Sequence, residues 1–170
     1  RPVVLMVGAL DTGKRVIEAM HAMAEVPDAF MLVAGDGPLR DEVDRLAAEK
    51  LPGRFMRATF RQDQMPDLYR SADLFLHTKI AESFGNVYIE ALSCGIPKVV
   101  HDDEVTRWIL GDHASLVDST SQPALVAAIT EALRRPHSGE AAAAWTHSRY
   151  SWSVVAEKYA AFFSSVLNTY

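Results

Sequence analysis

Cysteine is nearly missing from this chain. Cys94 is the only one, so no internal disulfide can form, and a reducing, cytoplasmic setting is the expectation. Long apolar runs are missing too: no stretch approaches the roughly 20 residues needed to span a bilayer. There is no basic run, and 17 Lys and Arg against 22 Asp and Glu leave a net charge of −5, which argues against a nucleic-acid partner. The glycine-bearing turn G-A-L-D-T-G-K-R is not a Walker loop, because Arg15 stands where a hydroxyl would hold magnesium. It is not a G-x-G-x-x-G dinucleotide turn either. No G-x-S-x-G elbow offers a serine nucleophile. No signal peptide is visible, and a start at Arg1-Pro2 without Met is expected of a piece cut from a longer chain.

What is present fits one globular domain over residues 1–170, with 49% apolar residues to build a core. Six short apolar runs read as buried strands: Val3 to Gly8, Phe30 to Ala34, Arg54 to Phe60 with its turn, Asp73 to His77, Lys98 to His101 and Ala114 to Val117. Helical spacing lies between them. Val16, Ile17, Met20 and Met23 form one face, and Leu39, Val43, Leu46 and Ala47 another. Gln64 to Ser71, Val105 to Leu110 and Pro123 to Arg135 follow, the last capped at Thr120-Ser121 and broken by Pro136-His137-Ser138-Gly139. Ala141 to Ala144 favours a helix. A final helix runs from Trp152 to about Asn168. Strands alternating with helices predict an α/β, Rossmann-like three-layer sandwich around a parallel sheet of about six strands.

Such sheets bind ligands beyond the carboxyl ends of their strands. The loops there are Gly8 to Lys14, Gly35 to Pro38, Ala58 to Asp63, Thr78 to Asn86 and Asp102 to Glu104. The most informative stretch is Glu82 to Pro97, ESFGNVYIEALSCGIP. Gly85 permits close backbone approach, and a helix opening there presents free N–H groups to an anion. Glu82 and Glu90 stand eight positions apart across that boundary. Two surface glutamates are the ordinary reading, and an acid/base pair for glycoside hydrolysis is another. Glu90 lies among Val87, Tyr88, Ile89, Ala91 and Leu92, however, which favours a carboxylate paired or turned to a ligand cleft.

Lys14 ends a glycine-bearing turn where an ammonium can reach a diphosphate, although a lysine at a helix start is usually just solvated. His101-Asp102-Asp103-Glu104 reads as caps and dipole partners rather than metal ligands, because four adjacent residues cannot all converge on one ion. Cys94 reads as a small buried side chain. Trp108, Trp145, Trp152 and the C-terminal aromatics Tyr159, Phe162 and Phe163 read as core.

Taken in series, VGALDTGK, AGDGPLR, MPDLYRSADLFLH, the E-x7-E block ESFGNVYIEALSCGIPKVV and SWSVVAEKY resemble the C-terminal, nucleotide-sugar-binding domain of a GT-B fold retaining glycosyltransferase of the family 4 type. The resemblance implies a UDP-sugar or GDP-sugar as substrate, with no cofactor and no metal. It assigns catalytic roles to Glu82, near the donor sugar, and to Lys14, which neutralises the departing diphosphate. Donor binding falls to Glu90 on the ribose, to the backbone of Phe84, Gly85, Asn86 and Val87 on the sugar and diphosphate, and to Thr59 and Phe60 around the base. The implied partner is an N-terminal GT-B domain elsewhere in a longer chain. That domain would carry the acceptor site and any membrane contact.

Two positions depart from the family pattern. Ala9 stands where the family usually has a diphosphate-binding arginine, a loss worth about 1.5–3 kcal/mol, with Arg15 as the candidate substitute. The acidic run 101–104 replaces the small residues usual after the fifth strand. These departures leave two other readings open: a degenerate, non-catalytic nucleotide or interaction module, and half of a GT-B fold sugar-nucleotide epimerase.

Overall fold

The computed structural model describes residues 1–135 and 139–167. Six parallel strands form one sheet: β1 (Val3–Val7), β2 (Phe30–Ala34), β3 (Phe55–Ala58), β4 (Leu74–His77), β5 (Lys98–His101) and β6 (Ser115–Val117). Their spatial order is β3-β2-β1-β4-β5-β6. Every pairing is parallel, with Val3 opposite Phe30 and Phe75 opposite Lys98. Parallel strands need a crossover between them, and helices supply it. The crossovers are α1 (Val16–Ala24), α2 (Arg40–Lys50), α3 (Met65–Arg70), α4 (Asn86–Ser93) and α5 (Glu104–Leu110), and after β6 come α6 (Gln122–Arg134), α7 (Glu140–Tyr150) and α8 (Trp152–Leu167).

Because successive strand residues face opposite ways, the sheet feeds two cores. Val4 and Met6 pack with α1, α2 and α6, whereas Leu5 and Phe75 pack with α3, α4, α5 and α7. Strands β4 and β5 are buried at every residue, the apolar Leu74–Leu76 and Val99–Val100 as expected and His77, Lys98 and His101 along with them. Buried Arg54 ties the first layer down: its guanidinium donates to the carbonyls of Met23, Ala24, Val26 and Ala29. The last carbonyls of α1, which no helical N–H reaches, are thereby satisfied.

Several elements start or stop a residue or so from their predicted ends, and Ser121 alone caps α6, through Ala124 N–H. The break over 136–138 and the end of the last helix at Asn168 lie outside the described residues. One expectation fails outright. Trp108, Trp152, Tyr159, Phe162 and Phe163 are not core but largely exposed, from 58% for Phe163 to 88% for Trp152, while Trp145 is half-buried. α8 has no buried residue at all. Helical spacing of aromatics shows that they share a face, and it says nothing about what covers that face. Lys98 is the opposite surprise: it is fully buried in β5, its ammonium donates to Ile96 O at 2.6 Å, and burial drives its pKa down to about 8.

Candidate functional site

From β1 the sheet runs through β2 to β3 on one side, and from β4 through β5 to β6 on the other. Chain crossovers leave β1 and β4 in opposite directions, so a crevice opens at their carboxyl ends, the favoured ligand position in such sheets. The loop after β1 places Lys14 there. Asp11 accepts a hydrogen bond from Lys14 N–H at 3.0 Å and closes the short 3-10 turn Thr12–Lys14. Arg15 then takes a left-handed conformation, φ 56°, before α1 begins. Its guanidinium reaches Glu18 at 3.3 Å and Ser119 O at 3.5 Å, while its buried Nε has no partner among the described residues. Ala9, in the same loop, is exposed.

The A-G-D-G-P-L-R segment braces this loop. Leu10 N–H donates to Asp36 O, and Leu39 N–H donates to Leu10 O. A Cβ at Gly35 would lie 1.8 Å from Gly8 O, so only glycine permits the contact. Thr78, at the start of the loop after β4, lies 3.0 Å from Lys14 O, and Ser119 Oγ donates to Thr78 O at 3.0 Å. Ser119 also sits 3.0 Å from His101 Nδ1. Thr78 and Ser119 are buried hydroxyls that lock three loops together, and no motif in the sequence marks either one.

At the centre is Glu82, whose side chain is only 9% exposed. Lys14 Nζ donates to its Oε2 at 2.9 Å, and Lys79 Nζ donates to its Oε1 at 3.1 Å. Burial pushes the Glu82 carboxyl up, but hydrogen bonds from the two ammonium groups, with their charges, prevail and hold it down at about 2. A carboxylate ionised at neutral pH has no proton to give, so Glu82 is not the general acid of a glycoside-hydrolysing pair. Below it lies His77, fully buried, its Nε2 3.6 Å from Glu82 Oε2, too long for a hydrogen bond. Burial, then the Lys14 charge, drive the imidazole down to about 4 against the opposing pull of Glu82. Both His77 ring nitrogens and the hydroxyl of buried Tyr88 are without hydrogen-bond partners among the described residues.

Gly85 is the N-cap of α4, with φ 71°. A Cβ there would lie 2.7 Å from the Tyr88 ring and 3.0 Å from Glu82 Cγ, so the glycine is required twice over. No side chain caps this helix and no acid sits in its first turn, whereas Asp103 caps α5 and Ser121 caps α6. Asn86 is exposed and Val87 half-buried at its first positions. Phe84 holds the loop down, its ring tilted against Trp108 and Tyr150 at 6.3 and 6.2 Å.

Glu90 faces different company. Tyr69 Oη donates to its Oε2 at 2.7 Å, and burial together with this bond pushes the phenol well above its ordinary value. Both residues line a recess of about 270 Å³ with Gln62, Met65, Arg70 and Cys94. Cys94 is half-buried rather than buried. Thr59 is exposed just past β3, and Phe60 packs against the core cluster that holds Leu68 and Tyr69. The acidic run is engaged in local packing: Asp102 pairs with Arg107 at 2.7 Å, and Asp103 accepts from Thr106 N–H at 2.7 Å.

The sequence model for glycosyl transferases group 1 matches residues 1–152. This chain belongs to that family. Among curated relatives, the D-inositol 3-phosphate glycosyltransferase of Mycolicibacterium smegmatis is 30% identical, covering 99% of this chain and 41% of its own length. The GDP-mannose-dependent alpha-(1-6)-phosphatidylinositol dimannoside mannosyltransferase of Mycobacterium tuberculosis is 32% identical over 72% of this chain and 32% of its own. Among solved structures, Anabaena HepE in complex with UDP and glucose superposes with a TM-score of 0.85 at 25% identity, over 96% of this chain and 48% of that one. Sucrose-phosphate synthase from Thermosynechococcus elongatus shares the fold, with a TM-score of 0.90 at 22% identity over 99% of this chain and 46% of that one. The group 1 chain described here therefore spans less than half the length of each of these four.

Proposed function

We propose that this chain is the donor-binding, C-terminal half of a retaining glycosyltransferase of the family 4 type, which transfers a hexose from a nucleoside-diphosphate sugar to an acceptor. The observation that carries this reading is the charge arrangement at the turning point of the sheet. Lys14, steadied by Glu82, stands at the crevice beside the uncapped N-terminus of α4. Negative charge grows on the diphosphate as its bond to the sugar breaks. Lys14 and the backbone N–H groups at Asn86 and Val87 stabilise that charge without a metal, and this supplies much of the catalysis. Glu82, fixed as an anion, orients Lys14 and lies beside the donor sugar. Glu90 accepts from the ribose hydroxyls with the lone pairs that Tyr69 leaves free, and Thr59 and Phe60 frame the base with their backbone.

In this reading the rest of the enzyme is an N-terminal GT-B domain that brings the acceptor, and the exposed apolar face of α8 suits a contact with it. The 170-residue chain alone then binds nucleotide weakly and transfers no sugar. Calorimetric titration with UDP and with GDP tests the proposal. Saturable heat with at least one of them is expected, and a folded sample giving none with either would instead be a donor-less interaction module. Sugar transfer by the isolated chain would overturn the two-domain part.

A further inference from the structure

Lys79 has no role in the reading above, yet its position is unusual. A glutamate and a lysine three residues apart are ordinarily a solvated pair of little consequence. Here the glutamate is covered, and it is shared with Lys14, whose loop comes from the other central strand. Lys14 takes one Glu82 oxygen and Lys79 the other, while Ser83 N–H adds a third bond at 3.2 Å. The carboxylate thus acts as a spacer between two ammonium groups. Their side chains stay 22% and 28% exposed while Glu82 itself is covered. With His77 neutral, two ammonium groups against one carboxylate leave a net charge of one plus.

Each ammonium spends one donor on Glu82 and keeps two for a ligand. The neighbouring cation does not compete for this task, because the terminal nitrogens of Arg15 reach Glu18 and Ser119 O and its Nε is buried. Ala9 offers only a methyl group. Under the cluster, the unpartnered ring nitrogens of His77 and the hydroxyl of Tyr88 mark a polar floor that the protein itself leaves unsatisfied. Polar groups so deeply buried without partners are costly.

We propose that Lys79 is a second diphosphate ligand, and that Glu82 presents Lys14 and Lys79 together as a two-pronged clamp. This inference rests on the donor-binding reading. It separates from that reading because a second prong matters for a diphosphate and little for a monophosphate. The test is calorimetric titration of the 170-residue chain and its Lys79→Met and Lys79→Arg variants with UDP, GDP, UMP and GMP, with thermal melts alongside. Lys79→Met should lose about tenfold or more in affinity for the diphosphate that binds, since a charge-assisted contact disappears. Its affinity for the matching monophosphate should stay within about threefold, and Lys79→Arg, which keeps the charge, should retain most of the diphosphate affinity. Melting should change little, because Glu82 keeps Lys14. If the unaltered chain binds diphosphate and Lys79→Met binds it equally well, the clamp is wrong and the donor site stands. If the unaltered chain binds none of the four nucleotides, the donor-binding reading itself falls, and the clamp with it.

Discussion

Glu82 and Glu90 look alike in the sequence, one glutamate just before a short helix and one within it, but they sit in opposite environments. Glu82 is covered, doubly paired with lysines from two loops, and held as an anion at any physiological pH. Glu90 has a neutral partner, Tyr69, and opens onto a recess. The first region is built to manage charge, and the second to offer hydrogen-bond acceptors. That division matches the two ends of a nucleoside diphosphate, a charged diphosphate and a polar ribose. α4 joins the two regions, with Gly85 at its start.

The contrast can be broken at its hinge. Gly85→Ala forces a side chain into a left-handed backbone and against Tyr88, at a cost of about 4 kcal/mol. Both regions should fail together, seen as a lower urea midpoint and loss of all nucleotide binding. Acid should strike the Glu82 side first. The His77 imidazole lies at about 4 when folded against an ordinary 6.5, so the unfolded chain binds more protons between those values. Stability that is complete above pH 6.5 should therefore fall as pH drops toward 4, by up to about 3 kcal/mol. The depressed Glu82 carboxyl adds a later loss, from about pH 4.5 down to about 2. His77→Phe should flatten the first window in urea midpoints taken across pH and leave the second; an unchanged profile would place the acid sensitivity elsewhere.

Lys14→Ala should cost about a hundredfold in diphosphate affinity, with the fold intact. Unchanged affinity would show that the crevice is not used for the diphosphate. Glu90→Gln should cost less, about tenfold, and by the same factor for mono- and diphosphates. Equal behaviour of the Lys14 and Glu90 variants toward both nucleotides would erase the division between the regions.

Six strands and their loops are legible because buried parallel strands are largely apolar runs, and glycine or an acid follows β1, β2, β5 and β6 directly. Lys14, Glu82, Gly85 and Glu90 stand out because residues at strand ends meet on one edge. Their partners do not stand out. His77 and Lys98 lie inside apolar strands, and Tyr69, Thr78, Lys79 and Ser119 are common residue types without a period. Each gains meaning only through a neighbour far away in the chain. The aromatics show the converse error: α8 carries a helical stripe that reads as core, yet nothing within the described residues covers it.

By itself, then, the sequence determined the alternation of strands and helices, the parallel sheet, the edge where loops gather and the family to which the chain belongs. Those properties follow from local period and from residues adjacent in the chain. Only the tertiary structure decided that β1 and β4 stand side by side, that one carboxylate holds two lysines, and that Glu90 answers to a tyrosine. Those depend on contacts between loops tens of residues apart, where charge, burial and distance are properties of the packed molecule rather than of any segment.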